Sequence, residues 1–231
     1  MPIDLVGLDA DDTLWHSETV FHLTQGRFRD LLAPFTDGRA LDEQLAATEK
    51  KNLSTYGYGV KGFTLSMLET ALAVAGDQLP AKLVREILAA GREMMTHPVE
   101  PLPGVEEALP ALAANYKLVL ITKGDLHHQE SKLAASGLGD YFTGVEIVSE
   151  KTASIYRAVF ARHGSGPERA LMAGNSVRSD ILPALEAGCH AALIPYALVW
   201  AHEAALVPAG HPRFKQLASF DDLPAWLGEI D

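Results

Sequence analysis

Four short segments of this 231-residue chain carry side chains that could do chemistry together. In Leu8-Asp9-Ala10-Asp11-Asp12-Thr13-Leu14 two carboxylates, Asp9 and Asp11, stand two residues apart. One of them could attack a substrate while the other moves a proton. Thr122-Lys123-Gly124-Asp125 offers a hydroxyl and loop amides at the start of a helix, a ready site for an anion. Lys151 supplies a cation, and Gly174-Asn175-Ser176-Val177-Arg178-Ser179-Asp180 supplies an amide, two hydroxyls and a carboxylate. Each segment has a plainer reading taken singly. Aspartates suit turns, Thr122 ends a strand, Lys151 is a solvated charge, and Ser179 or Asp180 caps a helix.

The elements that must position these residues favour a joint reading. Ile3-Asp4-Leu5-Val6-Gly7-Leu8 is a short apolar run of the kind that forms a buried strand, so Asp9 and Asp11 emerge at its carboxyl end. A long region of helical periodicity follows, with apolar positions such as Leu65, Leu68, Leu72 and Val74, or Leu79, Leu83, Ile87 and Leu88. It closes at His97 to Gly104, where Pro98, Pro101 and Pro103 forbid a continued helix. Strands are then expected at 117–122, 145–148, 170–173 and 191–194, alternating with helices at about 125–136 and 153–162 and one ending near Gly188. Such alternation predicts a doubly wound, three-layer α/β core with a parallel sheet, and the helical block becomes an inserted cap. The four chemical segments then share one sheet edge, where open sheets bind ligands.

Composition narrows the function classes. Hydrophobic residues make up 48% of the chain, enough for a sizeable core. A formal net charge of −11 argues against nucleic acid and anionic membranes as partners, while a small pocket can still be locally positive. Cys189 is the single cysteine, which suits a reducing compartment. With no signal peptide evident and no apolar stretch long enough to span a membrane, a soluble cytoplasmic protein is expected.

With these segments in order, the sequence resembles the haloacid dehalogenase superfamily of hydrolases, in its phosphatase branch with a helical cap. Asp9-Ala10-Asp11-Asp12-Thr13 matches the nucleophile motif, Thr122 the second motif, Lys151 the third and Gly174 to Asp180 the acidic fourth. The resemblance implies that residues 1–15 and 100–231 form the catalytic core and 16–99 the cap. It implies a phosphatase acting on a small phosphorylated metabolite, with Asp9 forming an aspartyl-phosphate and Asp11 as general acid and base. Thr122 and Lys151 would hold the phosphoryl group, with Lys123 and Lys61 as further substrate-binding candidates. Mg²⁺ would be held by Asp9, the Asp11 backbone carbonyl, Asn175 and Asp180. Two like charges ~4 Å apart repel by ~4 kcal/mol at an effective dielectric of ~20, so such a carboxylate cluster needs Mg²⁺ and Lys151 to face a phosphate.

One position departs from the family pattern. Asn175 stands where the family usually has a metal-binding aspartate, so Asp180 is expected to carry more of the metal binding. The metal should be held more loosely and a phosphate dianion somewhat better. A metal-independent 2-haloacid dehalogenase is the nearest alternative, and Asp11 counts against it because such members usually lack the second aspartate. A phosphomutase, a phosphonate hydrolase using Lys61 as a Schiff base, and a non-catalytic member share the same core. Gly57-Tyr58-Gly59-Val60-Lys61-Gly62 fits a dinucleotide-binding pattern but lacks the strand before it, so it is expected to be a flexible cap loop carrying Tyr56, Tyr58 and Lys61. The histidines, including His127 and His128, show no metal-ligand spacing, and Trp15 and His16 are candidates for lining the entrance.

Overall fold

The structure is a computed structural model that describes residues 2–198, 200 and 203–230. The chain divides into two compact units, one comprising Met1–Glu18, Val99–Lys123 and Gln129–Asp231 and the other Thr19–Pro98 and Gly124–His128.

The first unit is built on a six-stranded, all-parallel sheet. Its strands are β1 (Leu5–Leu8), β2 (Lys117–Lys123), β3 (Gly144–Val148), β4 (Ala170–Gly174), β5 (His190–Leu193) and β6 (Phe214–Gln216), in the spatial order β3-β2-β1-β4-β5-β6. Strands buried on both faces must be apolar at successive residues, and those residues divide between two cores. Val6, Leu8, Leu118, Leu120, Leu171 and Ala173 face one way, onto α5 (Val105–Ala113) and α9 (Leu223–Ile230). Leu5, Val119, Ile121, Ala170 and Met172 face the other, onto α7 (Ala153–His163) and α8 (Leu182–Ala187). The three layers follow from this alternation. The expected strands agree with those observed to within a residue or two, while β6 and α9 lie beyond the segments read from sequence.

The second unit is helical. Most of α1 (Glu18–Leu32) belongs to it, with α2 (Gly38–Tyr56), α3 (Val60–Ala75) and α4 (Ala81–Met95). Phe28, Leu32, Leu41, Leu45, Phe63, Met67, Ala71, Ile87 and Met94 form its core. The Asp37 carboxylate accepts from the Ala40 amide at 3.0 Å and starts α2. The expected helices are present, but the buried face of α3 carries Phe63, Met67 and Ala71 and leaves Leu65 and Leu72 exposed. This helix is apolar on most sides, so periodicity alone did not select its inner face.

The glycine-rich stretch is also shorter as a loop than expected. Gly57-Tyr58-Gly59 alone separates α2 from α3, and Val60, Lys61 and Gly62 belong to the first turn of α3. Gly59 has φ of +102°, and a Cβ there would lie 3.3 Å from the Asp125 amide nitrogen, so both backbone freedom and close approach require glycine. No helix among the described residues is long and apolar enough to cross a membrane.

Candidate active site

The register of the sheet gathers the chemical residues. Leu8 of β1 aligns with Leu120 of β2 and Ala173 of β4, so the chain emerges from three neighbouring strands at one level. The Asp9 amide donates to the Ala173 carbonyl at 2.9 Å, which extends this pairing one residue past the strand. Here β1 lies between β2 and β4, and the chain returns across it, which makes this the switch point of the sheet. The Thr13, Leu14 and Trp15 amides all turn back to the Ala10 carbonyl and fold the segment after β1 into a tight loop. Asp12 sits within that loop at φ of +61°, and its carboxylate accepts from the Ser17 and Glu18 amides at the start of α1. It therefore serves as a helix cap.

Asp9 is buried and bonded to Lys151 Nζ at 2.5 Å. The same ammonium donates to Asp180 Oδ1 at 2.6 Å, so one cation stands between two buried carboxylates. Burial and the Asp180 charge push Asp9 up to about 7 despite Lys151, and the two carboxylates together raise the Lys151 pKa against the effect of its own burial. The second oxygen of Asp180 accepts from the Ser176 amide at 2.9 Å, so both oxygens are engaged. This packing requires Gly174, because a Cβ at that position would lie 2.2 Å from Asp180 Oδ2. The turn that follows is unusual. Both the Asp180 and Ile181 amides bond to the Ser176 carbonyl, making a π-type turn over Val177–Ile181 that brings Asp180 back under the strand end.

Asp11 has a different set of partners. Its Oδ1 accepts from Lys132 Nζ in a short ion pair and from Trp15 Nε1 at 2.8 Å, while Oδ2 accepts from Gln129 Nε2 at 3.1 Å. Burial would raise its pKa, but Lys132, Trp15 and Gln129 outweigh that and hold it below the usual carboxylate range. The Gln129 amide also donates to Thr122 Oγ1 at 2.6 Å and to the Lys123 carbonyl at 3.0 Å, tying the second motif to the first. Trp15, considered for the entrance, is fully buried and takes part through its indole N–H.

The remaining expected residues are distributed as follows. Thr122 and Lys151 are buried at the same strand ends as Asp9. Thr13 Oγ1 donates to Asp9 Oδ2 at 3.2 Å and lies 3.5 Å from Asn175 Oδ1, so a carboxylate and an amide oxygen turn toward one hydroxyl. Lys123 pairs with Glu203 and reaches Ser179. In the helical unit, Lys61 Nζ lies 2.9 Å from both oxygens of Asp125. Gln129, Lys132 and Glu203 were not read from sequence. The first two lie three apart on α6 (Leu126–Ser136), directly after the Thr122 loop, so they share a face, but spacing does not tell which face turns to Asp11.

The donor set suits a hard cation. Among the described residues there is no group of three His, Cys, Asp or Glu side chains arranged to hold a metal. Asp9, Asn175 and the Asp11 carbonyl are nevertheless oxygen donors of the kind Mg²⁺ accepts alongside its waters. Thr13 Oγ1 lies against both Asp9 Oδ2 and Asn175 Oδ1, so two of these oxygens already converge.

Comparison with known proteins places this geometry. The sequence model of the haloacid dehalogenase-like hydrolases matches residues 3–188. The chain is 30% identical to pyrimidine 5'-nucleotidase YjjG of Escherichia coli K12 over 198 residues, covering 81% of this chain and 84% of that protein. Among solved structures, a haloacid dehalogenase-like family hydrolase from Xanthomonas campestris superposes with a TM-score of 0.89 at 40% identity, over 99% of this chain and 92% of that one. L-2-haloacid dehalogenase from Xanthobacter autotrophicus superposes with a TM-score of 0.67 at 17% identity, over 99% of this chain and 100% of that one, a likeness of fold. A strand ending in a buried aspartate at the switch point of a parallel sheet, a family match across most of the chain and a whole-length structural relative agree: the chain belongs to the haloacid dehalogenase-like hydrolases.

Proposed function

We propose that this hydrolase is a Mg²⁺-dependent phosphatase for a small phosphorylated metabolite, acting in the cytoplasm through an aspartyl-phosphate on Asp9. The observation that carries the reading is the ordered set Asp9–Lys151–Asp180 beside Thr122, with a separate second carboxylate, Asp11, at the same strand end. A 30% identical relative is named a nucleotidase, and the human N-acylneuraminate-9-phosphatase is 29% identical over 135 residues, so phosphate ester chemistry has support among relatives.

An Asp9 oxygen attacks phosphorus, forming the Asp9–phosphate bond as the bond to the ester oxygen breaks. The leaving oxygen takes its proton from Asp11. Asp11 then takes a proton from water, whose oxygen attacks the phosphoryl group and releases inorganic phosphate and free Asp9. Lys151 offsets the negative charge of Asp9 and of the transferring group, and the Thr122 hydroxyl hydrogen-bonds a phosphoryl oxygen. Asp9, the Asp11 carbonyl, Asn175 and Asp180 would hold Mg²⁺, which would supply further positive charge to the nucleophile and the phosphoryl oxygens. Asp180 belongs to the same proposed ligand set, and through its contact with Lys151 it also positions that ammonium beside Asp9. Asp11 in its present setting is an ionised acceptor, so serving as the acid requires it to take a proton and release Lys132. The dehalogenase alternative shares Asp9 and Lys151 but gives no use to Asp11 and its three donors.

Turnover of p-nitrophenyl phosphate with and without Mg²⁺ tests the reading. Activity should appear with Mg²⁺ and disappear on chelation, and undiminished activity after thorough chelation would overturn it. Asn175→Asp sharpens the test by adding a carboxylate where the metal is expected. It should lower the Mg²⁺ concentration for half-maximal activity by about tenfold, a differential of about 1.4 kcal/mol. Product phosphate should inhibit less, since the site's charge falls by one. An unchanged magnesium titration would remove residue 175 from the ligand set.

A further inference from the structure

Glu203 takes no part in the chemistry above, yet its carboxylate is held by donors from the two loops that carry Thr122 and Asp180. Lys123 Nζ lies 2.7 Å from Oε1, the Ser179 hydroxyl 2.5 Å from Oε2, and the Ser176 hydroxyl makes a short bond to the same oxygen. Lys123 Nζ also donates to Ser179 Oγ at 2.8 Å, so the three donors form one connected cradle. Burial would raise the pKa of Glu203, but Lys123 and the two hydroxyls hold it below its usual value. Ser176 and Ser179 are buried, and the Lys123 side chain is 11% exposed.

The two sides of this contact are built differently. Lys123 ends β2, and the two serines sit in the π-type turn after β4, where the Ser179 amide donates to Ser176 Oγ at 3.0 Å and the Tyr156 hydroxyl donates to the Ser179 carbonyl at 3.0 Å. Glu203 instead arrives on the connection between β5 and β6, anchored locally by its amide to the Trp200 carbonyl at 2.8 Å. The donors are therefore fixed by the sheet, and the acceptor is delivered by a connecting segment. Donors held this way keep their geometry if the acceptor is exchanged, and one carboxylate oxygen pair resembles another in size and charge.

We propose that Lys123, Ser176 and Ser179 form an anion subsite beside the phosphoryl seat, with Glu203 as its internal occupant. A second oxyanion on the substrate, a carboxylate or a further phosphate, takes the place of the Glu203 carboxylate. This rests on the phosphoryl group sitting at Asp9, Thr122 and Lys151. Lys123 follows Thr122 directly and Ser179 precedes Asp180, so a substrate bearing anions a few bonds apart reaches both places. Glu203 is the nearer and more buried of two carboxylates on Lys123, the exposed Glu150 lying 3.4 Å from Nζ, so an incoming anion must compete with Glu203 for the cradle. Glu203 thereby sets how strongly doubly anionic substrates are preferred.

The test removes the internal occupant and offers a replacement. Acetate is titrated against purified Glu203→Ala protein, with acetamide as the uncharged control, and followed by calorimetry and thermal melting. Acetate should bind Glu203→Ala saturably and raise its Tm, acetamide should not, and wild type should respond about tenfold more weakly, as expected for a hydrogen-bonded ion pair. Adding Lys123→Met should abolish the response. Equal acetate binding by wild type and Glu203→Ala, or binding that survives Lys123→Met, would overturn the subsite. This arm needs no turnover, so it stands or falls apart from the phosphatase reading. A second arm compares 3-phosphoglycerate with glycerol 3-phosphate, which differ by a carboxylate in place of a hydroxymethyl group. Glu203→Ala should lower KM for the former about tenfold relative to the latter. Equal shifts for the two esters would overturn the substrate role even if acetate binds. Should Glu203→Ala fail to fold, Glu203→Ser vacates the carboxylate with a polar side chain, and it carries both arms.

Discussion

Asp9→Asn should reduce phosphate ester hydrolysis by roughly 10⁴-fold or more while leaving the fold intact, because an amide is far too weak a nucleophile to attack phosphorus. The structure adds a second expectation. Asp9 is buried beside Asp180, and its pKa is pushed up to about 7, so its ionised form is held in the fold at a cost. A carboxyl whose pKa rises on folding opposes folding wherever the unfolded chain would ionise it, above about pH 4. Asparagine cannot ionise, and Lys151 keeps its contact with Asp180 in the variant. In the absence of added metal, Asp9→Asn should therefore melt at or above the wild-type temperature near neutral pH. Measured together, lost turnover with undiminished Tm identifies a residue kept for chemistry at the expense of stability. Near-normal hydrolysis by folded Asp9→Asn protein would end the assignment.

The second large effect belongs to Asp11. Asp11→Asn should lower kcat roughly 10²- to 10⁴-fold for an alkyl phosphate, whose leaving oxygen needs a proton. The loss should be smaller for p-nitrophenyl phosphate, whose leaving group departs readily as an anion. The fold should survive, since the asparagine amide oxygen still accepts from Trp15 Nε1. A variant that hydrolyses the alkyl ester within a few-fold of wild type would show that Asp11 moves no proton in the limiting step. Equal losses on both esters would confine its role to the second step, in which water attacks.

What could be read from the sequence was what the sheet dictates. Apolar runs such as Leu118–Ile121 and Ala170–Ala173 are legible because a strand buried on both faces tolerates few polar side chains, and the polar residues just beyond them stand out. The order and spacing of Asp9, Thr122, Lys151 and Gly174 to Asp180 were therefore visible together. Their partners were not. Nothing in the periodicity of α6 distinguishes Lys132, which reaches Asp11, from polar neighbours on its outer side. Asp180 could be seen as a carboxylate near the site, but its commitment to Lys151 depends on a π-type turn that local spacing does not announce. Glu203 lies on a connection with no period at all, so only the folded chain brings it to Lys123. The glycines at 57, 59 and 62 suggested a mobile loop, yet one of them is helical, because Val60, Gly62 and Phe63 are buried in the first turn of α3.

The position of β1 also bears on how the molecule assembles. Leu5 pairs with Lys117 on one side and Ala170 on the other, so the strand that delivers Asp9 has its partners more than a hundred residues further along the chain. The helices from α2 to α4 form among residues close in sequence, and such local contacts gather faster than distant ones. The helical unit should thus acquire protection early, with β1 waiting until β4 exists to close the sheet around it. Pulsed hydrogen exchange during refolding would read this directly: amides of Val6 and Leu8 protected before those of α2 and α3 would reverse the order. Catalytic competence, on this view, is a late event in the life of each molecule, reached only when the middle strand is flanked on both sides.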